Sequence, residues 1–119
     1  MFDWDNPVLI GHGDGGDVSL WFAAHNPGKV KAVITLDNLV APIPESRKPL
    51  VLSLRASESE PKPGLMPSQD DRERYGISVI TIADTRHRDM QDDGSPAQKE
   101  EIRLHVLRFF QSRLGIVAP

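Results

Sequence analysis

Four apolar runs punctuate the chain: "PVLIG" (7–11), "KAVITLD" (31–37), "PLVLSLRA" (49–56) and "ISVITIA" (77–83). Each is short, near-continuous and rich in β-branched residues, the pattern of strands covered on both faces of a parallel sheet. Between the first two, Val18, Leu20, Trp21 and Phe22 recur at helical spacing and Asn26-Pro27-Gly28 supplies a stop, which makes one βαβ unit. "NLVAPIPESRK" carries two prolines and no periodic apolar face, so it reads as a loop. Ser68, followed by Asp70 and Asp71, is the N-cap of a short helix. "DTRHRDMQDDGSP" reads as a polar loop. Beyond it, Ser95-Pro96 opens the clearest helix, with Ile102, Val106, Phe109 and Phe110 on one stripe and Leu107 and Leu114 beside it. The pairs Trp21/Phe22 and Phe109/Phe110 are expected in the core.

The predicted fold class is therefore α/β, a mostly parallel sheet of about four strands with flanking helices. At 119 residues the chain forms one domain, 1–119, with one core and one site at most. Helices are few for such a sheet, and the first strand has no earlier strand to pair with, so its edge invites a homo-oligomer or a complementing N-terminal fragment.

Composition narrows the function. Apolar residues at 39% and charged residues at 26% describe a globular domain rather than a disordered or membrane-embedded chain. A net charge of -3 with both signs interspersed leaves no basic stripe, which argues against nucleic acid. The absence of cysteine removes disulfides and thiolate metal sites. No signal peptide or membrane span is read at the start, so a cytoplasmic location and no membrane partner are expected. Asp89, Asp92 and Asp93 near His87 lack a known ligand spacing, and neither a metal nor another cofactor is expected.

The chemistry turns on "GHGDGG" (11–16), placed where a strand becomes a helix. As G-x-G-x-x-G it is the phosphate-cradling turn of a dinucleotide-binding unit, with Asp37 near the place of a ribose-binding acid. As G-x-Nu-x-G it is a nucleophile elbow with Gly13 at the nucleophile position. The second reading requires an acid and then a histidine on later strand ends. Glu58 follows the third run and His87 the fourth, in the required order; Asp37, after the second run, is an alternative acid. His12 is expected to pack or hydrogen-bond beneath the elbow, and His25 and His105 to lie on helix surfaces.

The runs "VLIGHGDGGDVSLWFAAHNPGKVKAVITLDNLVAP", "PLVLSLRASES", "YGISVITIADTRHRDMQDDGS" and "QKEEIRLHVLRFF" together resemble the C-terminal half of bacterial α/β-hydrolase-fold proteins. In such relatives the elbow is similar to G-H-S-x-G-G-D, the next strand ends L-D-N, and the histidine lies in a T-x-H-x-D-M-like segment. The resemblance spans nearly the whole chain, the nucleotide fingerprint only its first third. It implies a partial α/β-hydrolase fold of serine esterase type acting on a small acyl ester, with Gly13 in place of the serine and so an impaired catalyst. His87 would shuttle the proton, Glu58 or Asp37 would orient it, and the Asp14 amide would remain of the oxyanion hole, the upstream strands and their hole-donating loop being expected to be missing. Asp14 as a nucleophile fits poorly, because His12 then falls where the crowded elbow needs a small residue. A non-catalytic assembly module and a dinucleotide-binding domain stay open as alternatives.

Overall fold

The computed structural model describes residues 7–26, 28–59, 64–91 and 94–115. Four strands, β1 (Val8–His12), β2 (Ala32–Leu36), β3 (Leu50–Ala56) and β4 (Ser78–Ile82), form one sheet in the order β1-β2-β3-β4, parallel at every pairing. Because all strands point the same way, the residues that follow them gather on one rim, where open α/β sheets carry their sites.

Period-2 alternation divides the sheet residues between two layers. On one face Ala32, Ile34, Leu52, Leu54 and Ile82 pack with Phe109, Val106, Ile102 and Phe110 of α3 (Pro96–Arg113). On the other, Val33 and Val51 pack with Leu20 and Ala23 of α1 (Asp14–His25), and Tyr75 of α2 (Gln69–Tyr75) joins them. The caps match their expected residues: the Ser68 hydroxyl accepts from the Asp71 amide, and Ser95 and Gln98 form a reciprocal box ahead of Pro96 at the first turn.

The inward face of α1 is not the expected one. Trp21 and Phe22 are 60% and 41% exposed and Val18 is 65% exposed, while Gly16, Leu20 and Ala23, at i, i+4 and i+7, face the sheet. The cause is close approach. A Cβ on Gly16 would stand 3.0 Å from the Gly11 carbonyl oxygen and 3.3 Å from the β-carbons of Thr35 and Asn38, so only a small residue lets the helix lie this near. The segment expected to be a polar loop also differs: His87–Met90 is a 3-10 turn with Met90 buried in the α3-side core. At the sheet's β1 edge, Ile10 is 54% exposed.

The corrected face predicts a contrast readable by urea unfolding. Leu20→Ala should destabilise by about 2–5 kcal/mol, as expected for a fully buried leucine. Val18→Ala should change stability by less than about 0.5 kcal/mol. Equal losses would contradict the assignment.

Candidate functional site: a histidine and a buried carboxylate at the strand-to-helix elbow

The elbow is a single residue. β1 ends at His12, α1 begins at Asp14, and Gly13 between them takes φ 52 and ψ -118, a conformation strained for any L side chain. Its N–H donates to the Leu36 carbonyl at 2.9 Å, pinning the turn to the end of β2. The Gly13 carbonyl accepts from Asp17 at 3.0 Å and starts the helix, whose first amides, Asp14 included, have no carbonyl one turn back to accept them.

The residue after β2 is Asp37, fully buried and itself at φ 58, a region that aspartate tolerates better than most residues. Its Oδ1 accepts the Ala56 amide at 3.0 Å and lies 3.6 Å from Arg55 Nη2. Its Oδ2 accepts from the Ser59 hydroxyl at 2.6 Å and from His87 Nδ1 at 2.6 Å. Arg55 is buried too, with Nη1 donating to the carbonyl and side-chain oxygens of Asn38. Burial pushes the Arg55 pKa down, while the charges of Asp37 and Asp17 push it back up. The ion pair thus satisfies charges that neither partner would tolerate alone at this depth.

His87 reaches this carboxylate from the 3-10 turn, and its ring leans on the elbow. A Cβ built on Gly13 would stand 2.9 Å from His87 Nε2 and 3.1 Å from Cε1. The Nδ1 bond to a carboxylate fixes the ring's orientation and leaves Nε2 facing Gly13. His12 packs beside it, ring centroids 4.3 Å apart, donates from Nε2 to the His87 carbonyl at 2.8 Å and pairs through Nδ1 with the Gln91 amide at 2.9 Å. The turn is held from behind by Asp89. Its carboxylate accepts from the Arg86 amide at 3.0 Å, from Arg86 Nε and Nη2 at 3.1 and 2.9 Å, and from Gln98 of α3 at 3.3 Å. These donors, the Arg86 side chain foremost, hold the Asp89 carboxyl far below the usual carboxylate range.

Gly13, Asp37 and His87 are therefore brought together from three strand ends, with the Asp14 amide directly after Gly13 in the chain. Glu58 is not: it is exposed, its amide bonded to the Thr85 carbonyl at 3.2 Å, and the place beside His87 Nδ1 is taken by Asp37. Ser59 and Arg55 were not singled out from the sequence. A lone arginine inside the apolar run "LVLSLRA" was the available signal, since a buried cation needs a buried anion. His25 is exposed, and His105 is half-buried, 3.7 Å from Glu101. Among the described residues no group of three or more His, Asp or Glu is placed to hold a metal ion, and Asp92 and Asp93 lie outside those residues. No helix among them is long and apolar enough to cross a membrane.

Chemically, a histidine oriented by a carboxylate, with its free nitrogen at a strained strand-to-helix turn, is equipped to move a proton or attack an acyl carbon at that point. Comparison of the chain with models of known protein families, with curated proteins and with solved structures returns no match.

The Asp89 brace gives a pH prediction. Its pKa is lowered on folding, so its stabilising contribution is complete above the ordinary aspartate range, about 3.9, and is lost as pH falls toward the depressed value. Asp89→Asn should lower stability at neutral pH and show a shallower decline on acidification than the parent protein. Thermal melts between neutral pH and the acid limit check this. Parallel declines would contradict it.

Proposed function

We propose that this chain is an α/β-hydrolase-like domain of the serine acyl-hydrolase type, built for small acyl esters, in which Gly13 stands at the nucleophile position. The observation that carries the reading is the convergence of His87, hydrogen-bonded to buried Asp37 at 2.6 Å, on the glycine of a strand-to-helix elbow with φ 52. The order along the chain is nucleophile position, acid, histidine, each after a parallel strand, as in the hydrolase elbow arrangement. In this role His87 shuttles the proton, Asp37 orients the imidazole and supports its positive charge, and the Asp14 amide receives the developing oxyanion. The acid is Asp37 rather than Glu58, because the Asp37 carboxylate is the one that meets the ring. The dinucleotide reading loses its key acid by the same contacts: both Asp37 oxygens are occupied, and its side chain is fully buried, where no ribose hydroxyl reaches it.

Without a side chain at position 13 the acyl-serine route is closed. Gly13→Ser reopens it at a cost on the order of 1–3 kcal/mol in stability, because serine must adopt the left-handed backbone. The imidazole must also give way by a few tenths of an ångström. The variant should then release aryl alcohol from short acyl aryl esters with a burst that disappears on adding His87→Ala. A folded Gly13→Ser protein that shows no burst would contradict the proposal.

A further inference from the structure

We infer that in the protein with Gly13 the acyl-accepting atom is His87 Nε2 itself, and that the substrates it turns over are aryl esters and thioesters rather than alkyl esters. The inference rests on the acyl-hydrolase reading and specifies who attacks when the serine is missing. Three observations carry it.

First, Nε2 lies 2.9 Å from the position a Gly13 Cβ would take, closer than a real β-carbon permits, so the ring already occupies space that a nucleophilic side chain would claim. Second, the nitrogen is available. His87 Nδ1 is committed to Asp37, no other described residue is bonded to Nε2, and the side chain is 37% exposed, so substrate reaches it. Third, the rival nucleophiles beside the elbow among the described residues are engaged. The chain has no cysteine, the Ser59 hydroxyl donates to Asp37, the Ser57 hydroxyl is bonded at Thr85, and both nitrogens of the neighbouring His12 are in hydrogen bonds.

The step balances with water as the co-reactant. The Nε2 lone pair attacks the acyl carbon, the carbonyl oxygen takes the negative charge near the Asp14 amide, and the C–O or C–S bond breaks with its electron pair leaving on the aryloxide or thiolate. The acyl-imidazolium keeps its Nδ1 proton in the bond to Asp37, whose carboxylate offsets the new positive charge. Water then adds to the acyl carbon, the C–N bond breaks with its pair returning to Nε2, and carboxylate and both protons of the water are released, one of them available to the departed aryloxide or thiolate. Selectivity follows from the first intermediate. It collapses forward only when the leaving group departs about as readily as imidazole, which activated aryloxides and aryl thiolates do and alkoxides do not.

The test uses the full chain with 4-nitrophenyl acetate, S-phenyl thioacetate and ethyl acetate, followed by acid quench and peptide mapping. The expected result is a transient acetyl group on the His87 peptide. Turnover of the first two substrates should fall on the order of 10²-fold in His87→Ala, the scale a positioned imidazole contributes, and persist in His25→Ala. Ethyl acetate should not be turned over. Mapping on the unmutated protein keeps the test decisive even if His87→Ala folds poorly. Acetyl groups found only on lysines or the N-terminus, or equal turnover of the alkyl ester, would overturn the inference. If the parent chain is inert while Gly13→Ser shows its burst, the inference falls and the acyl-hydrolase reading stands; if both are inert, both fall.

Discussion

One buried carboxylate organises the rim of this sheet. Asp37 is removed from water, and a charge at such depth is tolerated only when every lone pair meets a donor or a cation. The groups that meet it come from separate parts of the chain: the Ala56 amide and Arg55 from β3, Ser59 from the loop beyond, and His87 from the turn after β4. The same demand that makes the carboxylate bearable therefore fixes where β3 ends and where the histidine ring points. The geometry of the candidate site and the satisfaction of a buried charge are here the same set of hydrogen bonds.

The glycine elbow and the carboxylate depend on one another through β2. Gly13 donates its amide to Leu36, the residue before Asp37, so the turn and the acid are held one peptide apart at the end of the same strand. Asp17, one turn into α1, accepts the amides of Val40 and Ala41 at 3.0 and 2.9 Å and ties the loop after Asp37 to the same helix. The result is a corner tied by hydrogen bonds to the end of β2 and to the loop beyond it, with no side chain at position 13. The imidazole simply rests against the glycine, at a distance that a β-carbon would not allow.

Much of this was legible in the sequence, and the parts that were not have physical reasons. The four strands and α3 were readable because buried parallel strands and an apolar stripe leave dense, periodic signals. The inward face of α1 is hidden in the sequence because large apolar side chains dominate its pattern, whereas a helix pressed against a tight turn turns its small ones inward, Gly16 and Ala23 around Leu20. The 3-10 turn was hidden for a related reason: its polar residues bond one another through Asp89, and only Met90 reports burial. The places of His87 and Gly13 at one rim follow from their positions after parallel strands. Choosing Asp37 over Glu58 required three dimensions, since both follow strands and only the buried one carries the charge balance of Arg55.

The central claim, that Asp37 holds His87 in a single orientation with Nε2 bare toward Gly13, is tested most directly by long-range proton–nitrogen NMR of the imidazoles. The account predicts that neutral His87 carries its proton on Nδ1 in a strong hydrogen bond, and that Asp37→Asn abolishes this signature while the His25 signals stay in place. A His87 ring protonated on Nε2, or one unaffected by the loss of the Asp37 carboxylate, would contradict it.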